Sequence, residues 1–154
     1  MTFRLVRAAL PDAPLIQALQ RISFAPLLKV YEDFDTNPAC ESLERIQAKL
    51  SQPFTYFYLI WQDDQIAGGI RVVDHQNGER KRISPLFVLP DFQDRGVAQA
   101  AVREAEARHG AEGWSLGTIL QEPKNCHLYE KLGYRRTGAS KVINDRMTLV
   151  FYEK

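Results

Sequence analysis

The sequence predicts an α+β protein of mixed α/β character. We expect a mostly antiparallel central sheet of about seven strands with one parallel β-α-β crossover, flanked by about four helices. The first observation is the order of elements that the spacing of apolar residues predicts: strand, two helices, three strands, helix, strand, helix, two strands. Tight turns at Asp63-Asp64 and Asn77-Gly78 make the strands that they join antiparallel. A helix between two later strands makes that pair parallel.

The first part of the chain is predicted to hold one strand and two helices. Residues 2–9 read as a strand, and Asp12 can cap the helix that follows. An apolar stripe gives this helix its buried face: Leu15, Ile16, Leu19, Ile22. Residues 23–38 are predicted to be irregular. A second helix begins near Glu41 and ends before Pro53.

Two strands are predicted next. Residues 54–61 (FTYFYLIW) carry the strongest strand signal of the chain, and residues 66–75 follow after a turn. Gly68 and Gly69 inside the second strand predict a bulge or a close approach of two backbones. A two-residue loop at Asn77-Gly78 would complete a hairpin.

The remaining elements follow from changes of period. The apolar run at residues 86–89 is typical of a buried strand, and a polar turn and Gly96 lead to a helix over residues 97–109. A strand at 114–120 and a helix at 123–132 come next. The final strands are expected at residues 134–142 and 147–152. Because we find no repeat, linker or low-complexity tract, we expect one domain over residues 1–154.

Composition limits the class of function. The chain has 154 residues, 45% hydrophobic and 25% charged, which is ordinary for a globular protein. Its net charge of +1 gives no reason to expect nucleic acid or a membrane surface as a partner. Cys40 and Cys126 lack metal or redox spacing, and the histidines are scattered, so we expect no metal and a reduced, cytoplasmic protein.

The turn before the helix at residues 97–109 has the physical properties of an anion site. The first amides of a helix lack partners inside it, and the helix dipole places a partial positive charge there. Residues 93–98 therefore offer a row of N–H groups to an anion. Gly96 and Ala98 have little side chain to hold a phosphate away, and Arg95 adds a full positive charge. The alternative is an ordinary strand–turn–helix whose glycine serves the turn alone and binds no anion.

The same turn resembles a known signature. Gln93, Gly96 and Ala98 fit the pattern Q-x-x-G-x-A after a strand that ends in Pro90. This is similar to the acetyl-CoA signature of the GNAT superfamily of N-acetyltransferases, whose fold has the same order of elements. The resemblance implies that this loop grips the pyrophosphate of acetyl-CoA and that the preceding strand binds the pantetheine arm by its main chain. The cofactor-binding residues expected from it are Leu86, Phe87, Val88, Gln93, Asp94, Arg95, Gly96, Val97, Ala98.

A second segment is similar to another GNAT element. Residues 125–134 (NCHLYEKLGY) look like N-x-x-x-x-Y/F-x-x-x-G-F/Y, with the aromatic residue one place early at Tyr129. The resemblance implies that Asn125 binds the pantetheine and that the Tyr129 hydroxyl lies beside the CoA sulfur. A phenol there can protonate or hydrogen-bond the departing thiolate, which makes Tyr129 the candidate catalytic residue. The alternative is a half-buried aromatic with its hydroxyl in water.

The acceptor side carries weaker signals. Many relatives place a carboxylate or histidine on the strand before the turn, but here the inward positions are Arg82 and Ser84, so we expect the amine to lose its proton through water. With a two-residue hairpin loop, Arg71 faces Ser84 and lies diagonal to Arg82, and the two arginines can hold an acceptor's carboxylate or phosphate. The alternative is that one or both arginines are solvated, or paired with Glu79 or Asp74.

An acidic loop points to the amine itself. Glu32 belongs to this loop at residues 32–35, next to Tyr31, and we expect both residues to contact the acceptor. The acidic loop, together with the arginines Arg71 and Arg82, would fit an amino-acid-like acceptor.

These observations predict an N-acetyltransferase that moves the acetyl group of acetyl-CoA to an amine of a small molecule or a protein. We expect direct attack in a ternary complex, because neither cysteine has an activating arrangement. The alternative is a noncatalytic acyl-CoA-binding sensor or partner-binding module. A third interpretation is an α+β interaction domain that binds no nucleotide. A homodimer through the final strands is an expectation from the resemblance only.

Overall fold

A seven-stranded mixed sheet forms the centre of the protein in a computed structural model that describes residues 2–154. Its strands are β1 (Phe3–Arg7), β2 (Thr55–Gln62), β3 (Gln65–Val73), β4 (Lys81–Val88), β5 (Trp114–Ile119), β6 (Arg135–Asn144) and β7 (Met147–Glu153). The helices are α1 (Ala13–Tyr31), α2 (Leu43–Leu50), α3 (Val97–His109) and α4 (Pro123–Lys131). The strand order is β1-β2-β3-β4-β5-β7-β6, and only the β4–β5 pair is parallel. The predicted fold class and order of elements are confirmed.

Two apolar layers cover the sheet. Ile70 and Val72 of β3 point to the face packed by α3 and α4, where Ala101 and Val102 are fully buried. Phe57 and Phe87 point to the other face, which is covered by α1 and α2. This alternation along each strand is the period-2 pattern of a sheet buried on both faces. A membrane-spanning helix is not found within residues 2–154.

The hairpin of β2 and β3 agrees with the sequence in detail. Gln62 pairs with Gln65, so Asp63-Asp64 is a two-residue loop, and Asp63 has the positive φ of 54° that such turns require. The register shifts beside Ala67, which is a bulge next to Gly68. A Cβ at Gly68 would lie 2.1 Å from the Phe87 carbonyl oxygen. Both the predicted bulge and the predicted close backbone approach are present.

The predicted irregular stretch at residues 23–38 was wrong for residues 23–31, which continue the first helix, whereas residues 32–37 are irregular as expected. α1 continues through Pro26 to Tyr31, and Glu32 ends it in the left-handed region at φ 55° with its N–H donating to the Leu28 carbonyl. Phe24 extends the apolar face of the helix and packs edge-on against Phe87 with ring centroids 5.7 Å apart. Packing of this face against the sheet therefore outweighs the hydrogen bond that Pro26 removes.

The loop between β3 and β4 is longer than predicted. Val73 pairs with Arg82 as expected, but the ladder ends there and residues 74–80 form the loop. Gln76 and Gly78 both have positive φ, and Asp74 and Asn77 accept local N–H bonds, so side chains stabilise a wider turn. Past Val72–Ile83 the register shifts opposite Pro85, which lacks the N–H that a regular ladder needs.

The parallel strands β4 and β5 separate soon after they begin. They pair only at Lys81–Trp114 and Arg82–Ser115, although β4 continues to Val88 and β5 to Ile119. We call the gap beyond these two pairs the β4–β5 split. It opens toward the beginning of α3, which positions the candidate site.

Candidate active site

A row of unpartnered amides lies where β4 leads into α3. Within residues 2–154, none of the N–H groups of residues 94–99 donates to a carbonyl or side chain, and the first helical bond runs from Ala100 N–H to the Gly96 carbonyl at 3.0 Å. Gly96 is exposed, has φ 78°, and a Cβ there would meet no atom within 4 Å. The row therefore has open space beside it at Gly96, at the positive end of the helix dipole, as an anion site requires.

Gln93 does not belong to this row, contrary to the expectation that residues 93–98 all offer amides. Its N–H donates to the Pro90 carbonyl at 3.3 Å, and its side-chain amide donates to the Val88 carbonyl at 3.0 Å. Both bonds close the turn between β4 and α3. Gln93 thus shapes the loop, while the free N–H groups begin at Asp94.

Charged side chains flank the amide row. The Asp94 carboxylate forms an ion pair with Lys124 of α4, and both side chains are largely exposed. Asp94 itself has a positive φ of 63°. The Arg95 guanidinium lies 5.8 Å from the Phe92 ring centroid. The ion pair neutralises a carboxylate that would otherwise repel an anion at the neighbouring amides.

The β4 edge at the split also has free main chain. Leu89 N–H donates to Ala67 of β3, and N–H directions alternate along a strand, so the N–H groups of Leu86 and Val88 point into the split. Leu86 and Val88 are half-buried on this edge. Phe87 is buried and packs on the opposite face, where it supports the strand without reaching the split.

Tyr129 lies on α4 in the core beside β5 and β7. Its side chain is 8% exposed, and its ring lies 5.9 Å from the Tyr134 ring and 6.3 Å from the Tyr152 ring. The hydroxyl has no hydrogen-bond partner within residues 2–154. The fully enclosed side-chain atoms that lack a partner there are Ser23 Oγ and Arg71 Nε, so the Tyr129 hydroxyl keeps some exposure. Burial, and to a lesser degree Cys126, raise the pKa of Tyr129 well above its usual value.

Asn125 precedes Tyr129 by one turn on the same face of α4. It is half-buried, and its side-chain amide has no partner within residues 2–154. Its N–H donates to the Glu122 carbonyl at 3.1 Å, which starts the helix. Asn125 therefore presents a free amide group one turn before Tyr129.

The structure gives Tyr31 and Glu32 partners inside the protein. Tyr31 is buried at the end of α1, and its hydroxyl donates to Glu122 at 2.5 Å. Burial and this carboxylate raise the pKa of Tyr31 to about 12. Glu32 is exposed and lies 3.8 Å from Arg146. These contacts join α1 to the segment before α4 and to the β6–β7 hairpin.

Arg71 and Arg82 share the face that α1 and α2 cover, as predicted. Directly opposed residues share a face, so the Val73–Arg82 pair places Arg82 on the side of Arg71. Arg71 is 8% exposed, and its Nη1 donates to the Ser84 carbonyl at 2.9 Å. The expected Arg71–Ser84 contact is therefore made through the Ser84 main chain. Arg82 is exposed.

A buried polar cluster lies at the far end of α3, remote from the amide row. His109 Nδ1 lies 2.8 Å from Asp74, and His109 Nε2 lies 2.8 Å from the Tyr58 hydroxyl. Lys81 also lines the cavity of about 610 Å³ beside this cluster. Its Nζ donates to the His109 carbonyl at 2.9 Å. The cluster ties α3 to β2 and to the β3–β4 loop.

Sequence reasoning did not identify Glu122, Lys124 or this cluster. Glu122 and Lys124 flank Pro123 at the beginning of a predicted helix, but the local pattern does not indicate their partners, Tyr31 and Asp94. His109 gave only a helix-end signal, because its partners come from distant parts of the chain. Within residues 2–154 no three His, Cys, Asp or Glu side chains are grouped to hold a metal. Cys40 is exposed and Cys126 is buried, and both are free thiols.

Known proteins share this sequence pattern and fold. A model described as the acetyltransferase (GNAT) family matches residues 17–134. The chain is similar to the ribosomal-protein-S18-alanine N-acetyltransferase of Escherichia coli, at 12% identity, 98% and 92% coverage of the two chains and a TM-score of 0.75. It is similar to the Vibrio cholerae spermidine N-acetyltransferase solved with CoA and spermine, at 16% identity, 97% and 93% coverage and a TM-score of 0.76.

A third similar structure contains coenzyme A. It is the PaiA N-acetyltransferase of Thermoplasma acidophilum, at 14% identity, full coverage of both chains and a TM-score of 0.69. At these identities the structural likeness shows the fold.

Proposed function

Because the chain belongs to the acetyltransferase (GNAT) family, we propose that it moves the acetyl group of acetyl-CoA to an amine acceptor by direct attack in a ternary complex. The observation that carries the proposal is the row of free amides at residues 94–99, which opens beside the β4–β5 split. This geometry fits the pyrophosphate of acetyl-CoA at a helix N-terminus. The amides of Asp94 to Ala98 hold the diphosphate, Arg95 adds positive charge, and Lys124 neutralises the Asp94 carboxylate.

The pantetheine arm fits the split. The main chain of Leu86 and Val88 binds it in the manner of an added strand, since their N–H groups face the gap. Asn125 supplies a free side-chain amide from the opposite wall. No rearrangement of the sheet is needed, because β4 and β5 are already apart.

Tyr129 acts on the departing sulfur. Acetyl-CoA supplies an acetyl thioester, in which the bond from carbonyl carbon to sulfur breaks as the bond to the amine nitrogen forms. The raised pKa of Tyr129 keeps its hydroxyl protonated at neutral pH, so it donates a hydrogen bond to the thiolate. Water removes the proton of the amine, since neither Arg82 nor Ser84 is a base, and the thiolate takes up a proton from solvent on release.

The acyl chemistry requires no covalent enzyme intermediate. Cys126 is buried and packs beside Tyr129, with its Sγ 3.7 Å from the Ile119 carbonyl, and Cys40 is exposed. The Cys126 thiol donates to that carbonyl, so it is held as a hydrogen-bond donor and is not presented as a nucleophile. The amine therefore attacks the thioester directly.

Two measurements test this function. Calorimetric titration with acetyl-CoA should show saturable binding, and a thiol-release assay with a panel of amines should show CoASH formation with at least one of them. A noncatalytic acyl-CoA-binding module would bind acetyl-CoA but release no CoASH with any amine. Absence of binding, and of a thermal shift with CoA, would contradict both of these functions and leave an interaction domain.

A further inference from the structure

Arg71 is a buried cation that no carboxylate of the described chain contacts. Its side chain lies within 4.0 Å of no carboxylate in residues 2–154, although it is only 8% exposed. Nη1 donates to the Ser84 carbonyl, Nη2 lies 3.5 Å from Thr55 Oγ1, and Nε is enclosed without a partner. Burial of an unpaired charge is costly, so the site calls for an anion.

Glu41 is the carboxylate whose charge acts favourably on Arg71, but it is committed elsewhere. It forms an ion pair with Lys49 and accepts a hydrogen bond from the Gln20 side chain at 3.2 Å. Burial, and then the charge of Arg82, lower the pKa of Arg71, while Glu41 only partly opposes them. The two arginines thus reinforce a positive potential on one face of the sheet.

This arginine pair, Arg71 and Arg82, stands at the vertex of the β4–β5 split. Arg82 is the last β4 residue that pairs with β5, and Arg71 binds the Ser84 carbonyl two residues further along. Both side chains lie on the face of α1 and α2, whereas Tyr129 packs in the core on the face of α3 and α4. The arginine pair therefore lies where the split begins, on the side of the sheet opposite Tyr129.

We propose that the arginine pair binds a carboxylate of the acceptor, so that the substrate is an amine that also carries a carboxylate. This rests on the proposed acetyl transfer and narrows its substrate class. Arg82 supplies an exposed guanidinium, whose planar fork matches a carboxylate, and Arg71 supplies positive charge from beneath. Polyamines meet a like charge at this position and are disfavoured.

A binding experiment separates this proposal from catalysis. N-acetyl amino acids and their carboxamides are matched product-like probes that differ only in the carboxylate. Each is titrated into the CoA-loaded protein while amide NMR shifts are followed. We expect the acids to bind about tenfold or more tightly than the carboxamides, as a charge-assisted contact implies. Equal affinity of acid and carboxamide, or no binding of either across the panel, would overturn the proposal.

Variants identify the residues responsible. Arg82 is exposed, so Arg82→Gln should fold, and it should abolish the preference for the acid. Arg103 is an exposed arginine of α3, and Arg103→Gln should leave that preference unchanged. Arg71→Lys keeps the charge but not the fork, and should reduce the preference in part. A preference that survives Arg82→Gln overturns the assignment.

Turnover measurements test the proposed function independently of the carboxylate site. If acids bind through Arg82 but no amine yields CoASH, acetyl transfer fails and the carboxylate site stands. If spermidine or carboxamide amines are turned over with kcat/KM equal to that of the corresponding amino acids, acetyl transfer stands and the carboxylate requirement fails.

Discussion

The two ends of α3 are built in opposite ways. At its beginning six consecutive N–H groups, those of residues 94–99, have no partner within residues 2–154, and Gly96 stands in open space. At its end the His109 carbonyl accepts from Lys81 at 2.9 Å, and the Gly110 carbonyl accepts from the Trp114 indole at 2.7 Å. Both ring nitrogens of His109 also have partners. One helix thus combines an unsatisfied terminus with a satisfied one.

This contrast separates groups that serve binding from groups that serve folding. Polar groups left free beside a cleft cost stability and are useful only when a ligand engages them. Groups that are hydrogen-bonded to one another in the interior contribute to stability and have no free donor or acceptor for a ligand. We therefore expect changes at the open end to reduce activity and changes at the closed end to reduce stability.

Tyr129→Phe should have the largest effect on activity. The hydroxyl has no partner in the described chain, so its removal should change the melting temperature little while kcat falls about 100-fold. The KM for acetyl-CoA should change little. Tyr134→Phe is the matched control, because that hydroxyl donates to Glu106 at 2.9 Å and its loss should lower stability and leave kcat nearly unchanged. Unchanged turnover in Tyr129→Phe would remove this residue from the mechanism.

Gly96→Ala should weaken acetyl-CoA binding about tenfold or more, because a methyl group and a shifted backbone disturb the amide row. Gly78→Ala is the control: its φ is 88° and its Cβ would also meet no atom within 4 Å. Both substitutions should cost about 1–2 kcal/mol of stability from left-handed strain. Calorimetry and thermal melts measure the two effects, and equal loss of affinity in both variants would contradict a specific role for Gly96.

Asp74→Asn tests the closed end. Burial acts to raise the pKa of Asp74, but hydrogen bonds from His109 and the Gln76 N–H, with the charges of His109 and Lys81, outweigh it and lower the pKa. The variant should lose about 1–3 kcal/mol at neutral pH without a change in the KM for acetyl-CoA. A lowered pKa means that the contribution exists above the unfolded value near 4 and is lost as pH falls through the folded value. The free energies of unfolding of variant and parent, measured by denaturant titration, should therefore converge in acid. A constant difference between them at all pH values would contradict the assignment.

Lys124→Gln should have the smallest effect. The Asp94–Lys124 pair is exposed and should contribute less than about 1 kcal/mol to stability. Its removal leaves the Asp94 carboxylate uncompensated beside the amide row, so the KM for acetyl-CoA should rise about threefold at low salt and return toward the parent value as salt screens the charge. A salt-independent change would point to a contact other than charge.

The sequence located the open end of α3 because strand, glycine turn and helix are consecutive in the chain. It predicted α3 at residues 97–109 from the apolar period and the terminal His109-Gly110 pair, and the structure confirms those bounds. It did not reveal the closed end, because His109 meets Asp74 and Tyr58, which are 35 and 51 residues away. Such pairings follow from strand order, which a local pattern does not contain.

The acceptor side was harder for the same reason. The stretch at residues 23–38 was predicted to be irregular, whereas packing of α1 on the sheet extends that helix to Tyr31. Asp33, expected to attract an amine, is buried and accepts from the Thr36 N–H at 3.1 Å. Register alone was enough to place Arg71 and Arg82 on one face, because the Asn77-Gly78 region was correctly identified as the centre of the turn.

Because β4 and β5 pair at only two positions, the sheet consists of two blocks, β1–β4 and β5–β7, which are joined by the α3 crossover and by a shared core. In deuterium labelling of the free protein, the N–H groups of Leu86 and Val88 should exchange quickly although they belong to a central strand. Bound acetyl-CoA should slow them by filling the gap between the blocks. Acetyl-CoA would then link β4 to β5 where the ladder between them is missing, and the two blocks would open and close as one cooperative unit.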